Sequence, residues 1–125
     1  MTTGQNRRAR TTAPPSESLL QDLGRDLERR RARARRAWRK YQATDNHVDP
    51  AAATNAHQGW SNAIDDALRV AEVISREQPS DLRDLLIQYE AIWWWIVEDD
   101  NVLDGSSRRW LGRFRRSLRR LVADA

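Results

Sequence analysis

Cysteine is absent from this chain of 125 residues. Disulfides and thiolate metal sites are therefore excluded, and a reducing compartment agrees best with that absence, so we expect a cytoplasmic protein. Long apolar runs are also missing. The longest, 91–97, has seven residues, far fewer than the ~20 that a membrane-spanning helix needs, and the N-terminal residues lack the apolar segment of a secretory signal. We expect neither export by that route nor a membrane partner.

Glycine is scarce, and its five residues are so scattered that the chain has no glycine-rich loop for binding phosphate. The one lysine, Lys40, follows an arginine instead of the glycine of a nucleotide-binding loop. No Gly-x-Ser-x-Gly nucleophile motif occurs either. We therefore predict that the protein is not an enzyme and that it has no cofactor and no small-molecule substrate.

Metal-binding patterns are likewise missing. The two histidines, His47 and His57, stand outside the Glu-x-x-His and His-Glu-x-x-His spacings of helical metal sites. One acidic stretch has the composition of a calcium loop. Counting from Asp100, however, the third position is Val102 and the twelfth is Leu111, where oxygen ligands are needed. We predict no metal site.

Charge is segregated along the chain, although the formal net charge is only +4. Residues 1–44 carry a net charge of +8, residues 45–105 a net charge of −10, and residues 106–125 a net charge of +6. Nearly all of the basic residues are arginines. Two explanations remain open: the basic helices bind a polyanion such as nucleic acid, or they neutralise the acidic helices within the protein or across an oligomer.

The first 15 residues have no hydrophobic periodicity and are rich in Thr, Arg and Pro. Because such a segment buries too little apolar surface to stay ordered, we predict a disordered basic tail over 1–15 and a single domain over 16–125. Apolar residues in the domain recur at the three- and four-residue steps of amphipathic helices. The predicted fold class is all-α, a small antiparallel bundle of four helices.

Local capping signals predict where the first two helices begin. Ser18 has capping-box spacing with Gln21 at the start of helix one. Asp49 is an N-cap followed by Pro50 at the first position of helix two, where the missing amide hydrogen does no harm. Gly59 favours a break inside helix two, which would make five elements instead of four.

The last two helices differ in their patterns. Helix three is predicted to follow the cap Asp81, and it is apolar almost all round near its C-terminal end. Helix four is predicted to follow a cap at Ser106 or Ser107. It is the most clearly amphipathic segment of the chain, and we expect its apolar stripe to close the core of the bundle.

Arginines form the polar faces of helices one and four. We predict that these faces bind an anionic partner through charge and counterion release. No recognition-helix pattern is visible, so any contact with nucleic acid should be made with its backbone and be independent of its sequence. The residues predicted to bind are Arg25, Arg29, Arg33, Arg36, Arg108, Arg109, Arg113, Arg116 and Arg120.

A second apolar set on helix three includes Ile87, Trp94 and Trp95, at positions where a simple amphipathic helix would be polar. Tryptophan often anchors protein interfaces, so one interpretation is that these three residues form a protein-binding surface. The other interpretation is that helix one or helix four covers this side and that the residues belong to the core. The pattern alone leaves both open.

The sequence therefore favours a non-enzymatic helical interaction protein. The leading hypothesis is an accessory subunit or adaptor of a nucleoprotein assembly, which binds the phosphate backbone through the arginine faces. The alternatives are an inhibitor or modulator that binds a protein, or a homo-oligomeric structural protein, docking through the face of Trp94 and Trp95. A protein partner or self-association is expected, and nucleic acid is the second expected partner.

Overall fold

The computed structural model describes residues 18–99, with the side chains of 98 and 99 excepted, and residues 104–124; the predicted tail 1–15 lies outside the described residues. The described part is all-α, as predicted, and contains no strand. Its elements are α1 (Leu19–Gln42), α2 (Pro50–Arg76), α3 (Leu82–Ile92), a π-helical segment (Trp93–Asp99) that continues α3, and α4 (Gly105–Asp124).

The predicted starts of the first three helices are confirmed. The Ser18 hydroxyl accepts a hydrogen bond from the Gln21 amide, and the Gln21 side chain accepts one from the Ser18 amide, which completes the capping box. Asp49 caps α2, with Pro50 at its first position. Asp81 caps α3 by accepting a hydrogen bond from the amide of the third helical residue.

Two local predictions are wrong. The carboxylate of Asp104, and not a serine, accepts the hydrogen bond from the Ser107 amide at 2.7 Å, so α4 begins at Gly105. The interaction holds the pKa of Asp104 below its ordinary value. The predicted break at Gly59 does not occur, because α2 continues through it. A glycine on an exposed helix face costs only about 1 kcal/mol relative to alanine, which the packing of a long helix outweighs.

Helices α1 and α2 form a long hairpin whose interface is built from small residues. α2 buries a row of alanines, with Val70 and Ile74 at its C-terminal end, against Leu20, Leu27 and Ala34 of α1. Small side chains let the two helix axes approach closely. The buried alanines of α2 are Ala53, Ala56, Ala63 and Ala67.

α3 is the central element, because it contacts α1, α2 and α4. α4 packs mainly on α3, in antiparallel orientation. The Tyr89 hydroxyl donates a hydrogen bond to the carbonyl of Leu111, and Glu90 accepts hydrogen bonds from Arg115 at 2.8 Å and Arg119 at 2.6 Å. This one-sided packing leaves much of the apolar stripe of α4 in solvent, with Trp110 63% exposed. The expectation that α4 closes the core is therefore only partly met.

One buried carboxylate connects three parts of the fold. Asp84 on α3 is 2% exposed and accepts a hydrogen bond from the Ser18 hydroxyl, at the start of α1, at 2.7 Å. It also accepts two from Ser80 in the connection between α2 and α3, from the amide at 3.0 Å and the hydroxyl at 2.6 Å. These donors, Ser80 first and then Ser18, lower the pKa of Asp84 despite its burial.

Candidate functional site

The predicted arginines of α1 are all exposed, but most of them already have a carboxylate within the protein. Arg25 pairs with Asp22 and Arg29 with Asp26, in each case three residues earlier on the same helix. The third, Arg33, reaches across the hairpin to Asp66 of α2 at 3.3 Å. Exposed pairs of this kind contribute little stability, yet they cancel the charge that a polyanion would detect.

Asp66 extends this neutralisation across the hairpin. Its carboxylate lies 2.7 Å from a nitrogen of Arg30 and 3.3 Å from one of Arg33, and Arg69 approaches it from the same helix at 3.7 Å. Arg36 is the one predicted α1 residue for which the described residues offer no carboxylate within 4 Å. For α1, the geometry therefore favours the second explanation of the charge pattern, pairing with the acidic helix inside the protein.

The arginines of α4 have different surroundings. Two of the seven, Arg115 and Arg119, turn toward α3 and share the carboxylate of Glu90. The five α4 arginines that were predicted to bind an anionic partner occupy other positions of this helix. Within the described part of the chain, no carboxylate lies within 4 Å of four of them, namely Arg109, Arg113, Arg116 and Arg120. Arg109 donates a hydrogen bond to the Ser106 hydroxyl, and the fifth residue, Arg108, donates one to the carbonyl of Val97.

Four of the five predicted α4 arginines, all except Arg120, converge on a shallow cleft of ≈ 320 Å³, which we call the arginine cleft. Among the residues that the structure describes, no acidic side chain lines it. Gly112 lies against the ring of Trp93, which also lines the cleft, and a Cβ at that position would be in ordinary van der Waals contact with the ring at 3.5 Å. The guanidinium of Arg115 covers that ring at 4.6 Å from its centroid. The residues of the arginine cleft are Trp93, Arg108, Arg109, Gly112, Arg113 and Arg116.

A larger groove of ≈ 690 Å³ lies where α1 faces α3 and α4. Five arginines line it, but so do Glu28 and Glu90, which pair with arginines of the same groove. Of the residues predicted to bind an anionic partner, it contains only Arg25. The structure therefore does not join the predicted α1 and α4 residues into one surface, and of the two sites the arginine cleft is the more uniformly basic.

The structure answers the question that the sequence left open for helix three. Trp94 is 5% exposed and belongs to the core, with the guanidinium of Arg31 over its ring at 5.1 Å. Ile87 is partly buried against α1, so close that a Cβ at Gly24 would lie 3.1 Å from its Cγ2 atom. This burial corrects the prediction of an exposed interface at Ile87 and Trp94, because α1 covers that side.

Trp95 remains partly exposed to solvent. It is half-buried against the core and lines a groove of ≈ 460 Å³ between α2 and the C-terminal end of α3. Two aromatic residues of α4, Trp110 and Phe114, are more than half exposed, although both belong to the apolar stripe that was expected to close the core. The second apolar set of α3 was the available signal for this exposure. It indicates that α3 packs against several helices, so a smaller part of its surface remains to cover α4.

In comparisons with protein-family models, with curated proteins and with solved structures, nothing matches this chain. Two further properties concern the described residues only. They contain no cluster of three or more His, Cys, Asp or Glu side chains placed to hold a metal ion. None of their helices combines the length and apolarity required to cross a bilayer. Function must therefore be argued from the surface of the molecule.

Proposed function

We propose that this protein is a non-enzymatic adaptor that binds the phosphate backbone of nucleic acid through α4, as an accessory subunit of a nucleoprotein assembly. The observation that carries the proposal is the arginine cleft, where four arginines meet and none of the described residues contributes a carboxylate to the lining. Guanidinium groups suit phosphate because their planar fork donates two parallel hydrogen bonds. Arg113 and Arg116, for which the described residues offer no carboxylate within 4 Å, keep that capacity for a ligand.

The length of the basic face fits several phosphates. From Arg109 to Arg120 a helix rises roughly 16 Å at 1.5 Å per residue, which is about five nucleotide steps at 3.4 Å per strand. The described residues offer no carboxylate within 4 Å of Arg109, Arg113, Arg116 and Arg120. If each of these four neutralises one phosphate, the slope of log K against log salt is about −3.6 for duplex DNA. Such binding depends on charge and is insensitive to base sequence.

The test is a titration of fluorescein-labelled mixed-sequence duplex DNA, and of RNA, with the protein at about 50 mM salt, followed by fluorescence anisotropy. We expect micromolar binding that weakens steeply with salt. The double substitution Arg113→Ala with Arg116→Ala should reduce the affinity at least tenfold. The matched control is Arg29→Ala with Arg33→Ala, which removes the same charge from residues that already have carboxylate partners.

Two results would contradict the proposal. One is the absence of binding at micromolar protein in low salt. The other is an equal loss of affinity in the two double variants, because the arginine cleft would then contribute nothing beyond net charge. A second candidate function, a modulator that binds a protein, is favoured by the exposure of Trp110 and Phe114.

A further inference from the structure

One sector around α3 has no neighbour among the described residues. α1 covers the side of Ile87, α2 covers the side of Gln88, whose amide donates to the carbonyls of Ile74 and Glu77, and α4 covers the side of Glu90. At 100° per residue, Leu85 and Ile92 point between α2 and α4. They are 40% and 48% exposed. A helical bundle has room for one more helix at this position.

The uncovered part of α3 is continuous with the uncovered part of α4. Tyr89 and Phe114 pack with ring centroids 5.1 Å apart and so join the two helices. On α4, three large apolar residues spaced i, i+4 and i+11 are each more than half exposed: Trp110, Phe114 and Leu121. On the other side, Ile92 also lines the groove between α2 and α3, together with Trp95 and Ile96. We call this surface the open face.

Single exposed hydrophobic residues need no explanation, but a contiguous set on two packed helices does. Their spacing also has a meaning. From Trp110 to Leu121 the α4 stripe extends roughly 16 Å, or three helical turns. An exposed apolar strip of that length on two packed antiparallel helices matches the i, i+3/i+4, i+7 anchor pattern of one amphipathic helix.

Charge identifies the chemistry of the occupant. Arg113 and Arg120 run along the outer edge of the α4 stripe, and the described residues give neither of them a carboxylate within 4 Å. We propose that the open face binds an acidic amphipathic α-helix of a protein partner, whose apolar side covers Trp110 and Phe114 and whose carboxylates reach these arginines. Like-charge repulsion disfavours the basic α4 of a second copy at the same place.

The chain itself offers no suitable occupant from its N-terminal residues. Residues 1–17 contain no Leu, Ile, Val, Phe or Trp, and they carry three arginines against one glutamate. A segment of that composition supplies neither the apolar anchors that the open face lacks nor the negative charge that its arginine edge attracts. These residues therefore do not fit the open face, and the proposal assigns the helix to another protein.

The probe for this proposal is a designed 18-residue peptide with leucines at i, i+3, i+4 and i+7 and glutamates on its polar side. The matched peptide carries lysines in place of the glutamates. Fluorescence anisotropy of the labelled peptides with the full-length protein measures affinity, and circular dichroism checks that each variant is folded. We expect saturable binding of the glutamate peptide and at least tenfold weaker binding of the lysine peptide.

Three variants locate the site. Trp110→Ser with Phe114→Ser should weaken the glutamate peptide at least tenfold, and Arg120→Glu should weaken it about fivefold. Val48→Ser is the matched control, because Val48 is 79% exposed outside the open face, and this variant should bind as the wild type does. The Trp110 and Phe114 variant and Val48→Ser leave every arginine of α4 in place, so both should retain DNA binding in the assay above. Arg120→Glu should weaken the binding of both ligands, because Arg120 also belongs to the basic face proposed to bind phosphate. Failure of the two proposals is therefore distinguishable.

Several outcomes would overturn the inference. The proposal is wrong if neither peptide binds, if both bind equally, or if Val48→Ser weakens binding as much as the Trp110 and Phe114 variant does. It is also wrong if phosphatidylglycerol vesicles capture the protein through Trp110 and Phe114 while the peptide does not, since the open face would then bind a membrane surface. A stable dimer in sedimentation that dissociates in the Trp110 and Phe114 variant would assign the face to self-association instead.

Discussion

Replacing Asp84 tests whether the α1–α2 hairpin and α3 are held together at one buried carboxylate. The carboxylate accepts three hydrogen bonds from two serines that belong to different parts of the fold. Hydrogen bonds to a charged acceptor contribute about 1.5–3 kcal/mol each, although not additively, and a buried donor left without a partner costs about 1–3 kcal/mol. For Asp84→Ala we expect a loss of roughly 3 kcal/mol in the free energy of unfolding. That is a large part of the typical 5–15 kcal/mol.

Asp84→Asn separates the hydrogen bonds from the charge. The asparagine oxygen can still accept from the Ser80 amide, and its NH₂ group can donate to the Ser18 hydroxyl, so we expect a smaller loss of about 1–2 kcal/mol. Asp65→Asn is the matched control, because Asp65 is exposed and has no ion pair among the described residues. It should leave the stability within about 0.5 kcal/mol of the wild type.

The direction in which the free energy of unfolding changes with pH can also be predicted. Because the folded state lowers the pKa of Asp84 below its ordinary value of 3.8, the carboxylate stabilises the fold fully above that value. The contribution is lost as the pH falls through the lower, folded-state pKa. Urea unfolding followed by tryptophan fluorescence should therefore show a gap between the wild type and Asp84→Asn at pH 7 that narrows toward pH 3. A gap that stays constant, or an Asp84→Ala variant as stable as the wild type, would refute the reasoning.

Two further substitutions test how the elements are held. Glu90→Gln removes the charge that Arg115 and Arg119 share, and it should lower the free energy of unfolding by about 1–2 kcal/mol. Amide hydrogen exchange should become faster in α4 but not in α2. Equal changes in both helices would contradict the one-sided attachment of α4. Trp94→Ala should cost about 3–5 kcal/mol because it empties a core position, whereas Trp110→Ala, at a residue 63% exposed, should change the unfolding midpoint little. Equal losses in thermal unfolding would show that the assigned burial is wrong.

Helix starts were predictable because they depend on neighbours in the chain. The capping box of Ser18 and Gln21 and the Asp49–Pro50 start need only residues within one turn. The start of α4 was misplaced, although the same capping rule applies there, because Asp104 has the stronger acceptor and precedes the two serines in the chain. Local rules thus identify the right signal and misplace it by two or three residues.

The surface was less predictable, because periodicity shows which face a residue is on but not what lies opposite. The pairing of Arg25 with Asp22 follows from spacing on one helix. The sharing of Glu90 by Arg115 and Arg119 depends on how α4 crosses α3, which no local pattern contains. For the same reason the pattern left the burial of Trp94 open and did not reveal the exposure of Trp110: the first is covered by α1, and the second is 63% exposed.

The three consecutive tryptophans each serve a different neighbour. Trp93 lines the arginine cleft beside α4, Trp94 packs under α1, and Trp95 lines the groove with α2. The segment that carries them is π-helical. In evolutionary terms, the run should accept aromatic replacements more readily than a change in length. A one-residue insertion or deletion just before it would rotate all three side chains by about 100° and reassign every contact at once.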